Sequence, residues 1–175
     1  MSSRSGLAED LLTQLRSLIG KPCWAFYAGE STGPDVIFDF GRKIPRTVPL
    51  LNRHLTEEQR YYEGEVSLYI TCAWRLDSES EVICGSTDSA AEDGPMVRGL
   101  RALVGRTVES TEIVTPGFDL TLRFNGNLAL KIFSDQTNLE DEYDNYSVHL
   151  KKHKIYIVGV RGRIRCELPS EVRSA

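Results

Sequence analysis

The sequence predicts an α+β protein made of two related α-β-β-β-β halves, each packing one helix on an antiparallel sheet. Three observations predict it. Leu15-Arg16-Ser17-Leu18-Ile19-Gly20-Lys21 returns 85 positions later as Leu100-Arg101-Ala102-Leu103-Val104-Gly105-Arg106. An alternating run follows each copy: Asp35-Val36-Ile37-Phe38-Asp39-Phe40, then Asp119-Leu120-Thr121-Leu122-Arg123-Phe124. Most of the remaining chain alternates apolar and polar residues between Gly, Pro and Asn turns, the period of strands. The halves divide at 1–92 and 93–175, with an insertion at 43–64 in the first.

The elements follow in order. Leu7, Leu11, Leu12, Leu15, Leu18 and Ile19 predict a helix over 5–19, with Gly20 as its stop. Residues 23–27 form a short strand. Val36, Phe38 and Phe40 line one face of the next, which Gly41 ends. Val66, Leu68, Ile70, Cys72, Trp74 and Leu76 share one face of a single long strand. A loop at 77–80 turns it into 81–84, placing Trp74 opposite Cys84. Pro95 opens a second helix that runs to Val104 and stops at Gly105. Strands follow at 108–114, 118–124 and 128–132, the last two joined by Asn125-Gly126. A final hairpin pairs 146–148 with 155–160, extended by Ile164 and Cys166. Superposing the halves matches Leu68, Ile70 and Cys72 with Leu128, Leu130 and Ile132, and Trp74 and Leu76 with Tyr146 and Val148.

Composition narrows the function. A chain of 175 residues buries about two thirds of its unfolded surface, enough to fold without disulfides or metal. A net charge of −4 makes nucleic acid an unfavourable partner, because phosphate neutralisation needs a cationic surface. No run of about 18 apolar residues is present, and Met1-Ser2-Ser3-Arg4-Ser5-Gly6 is followed by acidic residues rather than a leader's apolar core. With four cysteines in no paired spacing, the expectation is a cytoplasmic protein with reduced thiols.

Catalytic and metal signatures are sparse. Cys72 and Cys84 fall on apolar strand faces, far from His54, His149 and His153, so neither has a base to activate it. The histidines lack ligand spacing, and no phosphate-cradling or nucleophile-elbow motif occurs. No cofactor and no metal is implied. Candidate binding residues are of three kinds. Trp74-Arg75 suggests a platform for a planar or anionic group, but alternation sends Trp74 to the core and Arg75, with Tyr69, to the opposite face. Tyr61 and Tyr62 in the insertion form an aromatic contact patch. Asp135, Glu140, Asp141, Glu142 and Asp144 form an acidic loop that recognises a basic partner or pairs with Arg161, Arg163 and Arg165, which alternate along the last strand.

Two stretches carry a family resemblance. Gly64-Glu65-Val66-Ser67-Leu68-Tyr69-Ile70-Thr71-Cys72-Ala73-Trp74-Arg75-Leu76, then Val82-Ile83-Cys84-Gly85-Ser86-Thr87-Asp88, resembles a family of small bacterial cytoplasmic proteins. In these a strand ends in Cys-x-Trp-Arg before an apolar hairpin strand and a Gly-Ser-x-Asp turn. Leu128-Ala129-Leu130-Lys131-Ile132-Phe133-Ser134-Asp135 resembles their later strand, which closes in Phe-x-Asp. That later motif often ends in Trp-Arg, where this chain has Tyr146-Ser147. The resemblance implies a bacterial cytoplasmic protein and no activity.

The leading functional expectation is a non-enzymatic module that binds another protein through its acidic loops and the 43–64 insertion, in an immunity-like or defence-accessory role. The alternatives are a small-ligand protein with a cleft between the halves, lined by Arg75 and Tyr69, and an enzyme using Asp135 or Glu81 as a carboxylate base. Oligomeric state is not encoded legibly.

Overall fold

The computed structural model describes residues 4–140, 143–150 and 154–168. In chain order its elements are α1 (Arg4–Arg16), β1 (Cys23–Tyr27), β2 (Val36–Pro45), α2 (Glu57–Tyr61), β3 (Tyr62–Ile70), β4 (Ala73–Asp77), β5 (Val82–Gly85), α3 (Pro95–Leu100), β6 (Val108–Val114), β7 (Asp119–Phe124), β8 (Leu128–Phe133), β9 (Tyr146–Leu150), β10 (Lys154–Val158) and β11 (Ile164–Glu167). The architecture is α+β, as the sequence predicts.

Both main helices are shorter than expected. Leu11, Leu15 and Leu18 are fully buried, but the chain after α1 tightens into turns and leaves Ile19 outside. After α3 a 3₁₀ turn, Arg101–Leu103, does the same and exposes Val104. Gly20 and Gly105 then each take φ +84°, a left-handed conformation that glycine adopts without strain. Each glycine reaches across to the other half. Gly20 N–H donates to Val108 O at 2.8 Å, and Gly105 N–H to Cys23 O at 2.7 Å. Cys23 N–H donates to Arg106 O at 2.8 Å, and Val108 N–H to Lys21 O at 3.1 Å. Pro22 and Thr107 form the bridge between them. These contacts are reciprocal at a spacing of 85. Phe40 stacks on Phe124 beside it, with ring centroids 6.3 Å apart.

The strands do not stay with their own half. One sheet has the order β1-β2-β3-β9-β10-β11 and the other β5-β4-β8-β7-β6. The chain thus crosses between the sheets: β4 and β5 follow β3 in sequence but join the five-stranded sheet, and β9, β10 and β11 follow β8 but join the six-stranded one. The two inner faces share one core, in which Phe38, Phe40 and Leu68 meet Leu76, Leu122 and Phe124.

The exchange breaks the single strand expected at 66–76. Thr71 and Cys72 leave the first sheet, and both their amides donate to Asn145 O, at 3.0 and 3.1 Å. Asn145 is fully buried. Its side chain accepts from Gln136 N–H and donates to Gly159 O, so both the oxygen and the nitrogen of this buried amide have partners. It ties the two crossovers together.

Register corrects three further expectations. Val36 pairs with Ile70 and Phe38 with Leu68, while Leu120 pairs with Ile132 and Leu122 with Leu130. Val66, Leu68 and Ile70 are therefore the counterparts of Leu128, Leu130 and Ile132, two residues from the sequence superposition. A bulge in β4–β5 places Leu76, not Trp74, opposite Cys84. The last strand begins only at Ile164, so Arg161, with φ 55°, and Arg163 precede it and do not share a strand face with Arg165.

Gly41 does not end its strand. With φ +77° it makes a bulge, and β2 continues to Pro45 against Tyr62. The 43–64 insertion is thus the outer part of a long β2–β3 hairpin. Arg46 N–H donates to Tyr61 O and Leu50 N–H to Arg60 O, which carry the pairing into an arm. At its tip Thr56 and Gln59 form a reciprocal capping box at the start of α2.

Candidate functional site

The outer face of the six-stranded sheet holds a buried polar cluster. Asp39 alternates with the core residues Phe38 and Phe40, so its side chain leaves the core, yet it is only 1% exposed. Arg46, at the root of the arm, folds over it. Tyr27 Oη donates to Asp39 Oδ2 at 2.9 Å and accepts from Arg46 Nη2 at 3.0 Å. Ser67, directly across the strand pair, donates to Asp39 Oδ1. Arg46 also pairs with Glu63 at 3.3 Å and donates to Gln59 O. The buried charge is thus compensated by a cation and two hydroxyls. One effect of the network is to fix the angle at which the arm leaves the sheet.

The next strand extends the cluster. His149 lies across from Ser67, stacks on Tyr69 with centroids 4.0 Å apart, and has Nε2 2.8 Å from Ser147 Oγ. Burial pulls its pKa down to about 4, so the ring is neutral near pH 7. A serine beside a histidine invites comparison with a hydrolase. Among the described residues, however, no carboxylate hydrogen-bonds this ring to orient it, and the low pKa makes it a weak base. Cys72 and Cys84 are inert for a related reason, since burial pushes both thiols up to about 12.

Beyond Tyr69 the sheet opens into a pocket of about 300 Å³. Tyr27, Thr32, Asp35, Ile37, Tyr69 and Thr71 are among its walls. Burial raises the pKa of Asp35.

Tyr69 therefore belongs to this site, but Arg75 does not join it. Arg75 lies outside the five-stranded sheet, where Nε and Nη2 grip Asp77 at 2.7 and 3.1 Å and the guanidinium sits 5.8 Å from the Phe133 ring centre. Lys131 also holds Asp77, at 2.8 Å. The two residues are on outer faces of different sheets, so the cleft expected to contain both does not form.

The arm carries Tyr61 and Tyr62, both partly exposed, with Arg60 5.7 Å from the Tyr61 ring centre. Near its tip Val48 is 73% and Leu51 87% exposed.

The acidic loop is partly spent on its own chain. Asp144 takes both Arg165 amino groups at 2.6 Å, a two-pronged ion pair. Glu140 is exposed, as is Asp135, which only approaches Ala73 N–H at 3.4 Å. Asp141 and Glu142 lie outside the described residues. Glu81, the other candidate base, is exposed on its hairpin. An open groove of about 840 Å³ runs between Phe118, Leu139, Tyr143 and the 159–165 segment.

Sequence reasoning missed Asp39, Ser67, His149, Tyr27 and Arg46. The available signal was aspartate in the middle of an apolar strand, where it is depleted. Comparison with protein-family models, curated proteins and solved structures finds no match. No helix among the described residues is long and apolar enough to cross a membrane.

Proposed function

We propose that this chain is a non-catalytic protein-binding module whose partner docks on the β2–β3 arm. The observation that carries the reading is Leu51 at 87% exposure with Val48 at 73%, on the same arm as the exposed Tyr61 and Tyr62. Several large apolar groups exposed on one braced element are typical of a contact surface. Aromatic residues and arginine, here Tyr61, Tyr62 and Arg60, are the types that anchor interfaces. The bracing supports the reading further: Arg46, Arg60 and the capping box hold the tip in one shape, which lowers the ordering cost of association. An immunity-like or defence-accessory role in a bacterial cytoplasm is the setting we favour, with the two halves as copies of one unit.

Affinity capture from the native host tests this with the Val48→Asp/Leu51→Asp double variant beside the wild type. Both side chains are exposed, so folding stability should change by no more than about 0.5 kcal/mol per site. The expected result is a protein recovered with the wild type and depleted at least tenfold with the variant. Equal recovery, or recovery of small molecules alone, contradicts the reading.

A further inference from the structure

The correspondence between the halves makes one departure from it informative. Asp35 and Asp119 occupy equivalent places, each one residue before the paired position Val36 or Leu120. The residues just before them are also equivalent: Trp74 Nε1 donates to Pro34 O and Tyr146 Oη to Phe118 O, both at 2.8 Å. By strand register, Cys72 is the counterpart of Ser134, two residues after Ile70 and Ile132 respectively. In the second half Asp119 is satisfied, because Ser134 N–H donates to its Oδ1 at 2.7 Å. In the first half the corresponding amide, that of Cys72, is committed to Asn145 O. Asp35 is left with no hydrogen bond or ion pair to its carboxylate among the described residues, and the space beside it is the 300 Å³ pocket.

We propose that this pocket binds a small organic cation, an alkylammonium or guanidinium group, with Asp35 as its counter-ion. The volume suits a group of a few heavy atoms. Tyr27 and Tyr69 supply aromatic wall, which attracts a cation, and Thr32 and Thr71 supply hydroxyl oxygens. Arg46, whose guanidinium lies 6.0 Å from the Tyr27 ring centre, is already paired with Glu63 and Asp39. His149, behind Tyr69, carries no charge near neutral pH. Asp35 is partly desolvated with no cation of the described chain paired to it, and a bound cation would offset burial's upward push on its carboxyl. The site lies at the opposite end of β2 from the arm, so the inference stands apart from the proposed partner surface.

The test is a backbone-amide NMR titration of the full chain with n-butylammonium chloride, and with n-butanol as its neutral isostere. The expected result is saturable shifts at Asp35, Ile37, Tyr69 and Thr71 with the ammonium, at least tenfold weaker binding of the alcohol, and at least tenfold weaker ammonium binding by Asp35→Asn. Asp35 is half-exposed in a turn, and an unchanged spectrum elsewhere establishes that the variant is folded. Shifts that do not saturate, equal binding of the alcohol, or undiminished binding by Asp35→Asn overturns the proposal.

Discussion

Replacing Trp74 by alanine is expected to lower the unfolding free energy by about 3–5 kcal/mol, the range for deleting a buried aromatic side chain. The ring is 2% exposed and faces Ile132 across the β4–β8 pair. It stands where the first half crosses into the other sheet, and its indole N–H closes on Pro34 O. The loss combines burial, a residual cavity and one hydrogen bond. Tyr146→Phe, at the equivalent crossover, removes only the hydroxyl bond to Phe118 O and should cost about 1 kcal/mol. Denaturant unfolding of both variants checks the pair. If Trp74→Ala costs less than about 1 kcal/mol, the indole is not part of the core, and the ligand-platform reading of Trp74-Arg75 returns.

The second large effect is in pH dependence. His149 stays neutral in the fold until pH approaches about 4, whereas in the unfolded chain it takes a proton near 6.5. Between those values the unfolded state binds more protons. Stability from the buried neutral ring is therefore complete above about pH 6.5 and is lost as pH falls toward 4, by about 2–3 kcal/mol over the window. His149→Gln should flatten that part of the stability profile relative to the wild type. Carboxylates titrating below pH 5 are common to both proteins, so the difference between the two curves isolates the histidine. Identical slopes from pH 6.5 to 4 would mean that the ring is hydrated in the fold.

Much of the fold was legible because its signals are local. Residues 23–27 and 108–114 read as strands with the bounds they have, whereas the two helices, expected to run to Gly20 and Gly105, end at Arg16 and Leu100. The exchange of strands between sheets was not legible, and the reason is geometric. When a strand bends from one sheet to a facing one, its inner face stays inner. Ile70, Cys72 and Trp74 therefore keep alternating through the break, and the pattern reads as one continuous strand. The contact that makes the break, Asn145 holding the Thr71 and Cys72 amides, joins residues more than 70 positions apart and leaves no mark in either neighbourhood.

The candidate site was hidden for a different reason. Asp39, Ser67 and His149 fall on the outward face of their strands, where polar residues are the norm. Nothing in the alternation says that Arg46 and Gln59 fold back over that face. Of the candidates read from sequence, Tyr69 belongs to the site, while Arg75 and Asp144 are held by neighbouring charges. Asp35 reads only as the first residue of the alternating run that ends at Phe40. Only its comparison with Asp119 singles it out, and that comparison needs the register.

The arm is the surface we propose to meet another protein. Site-specific photo-crosslinking in the native host tests it most directly, with p-benzoylphenylalanine placed at position 51 and, as a control, at position 114. Val114 is 53% exposed in β6, in the other sheet. A discrete crosslinked species is expected from position 51 and none from position 114. No product at 51, or the same product from both positions, contradicts it.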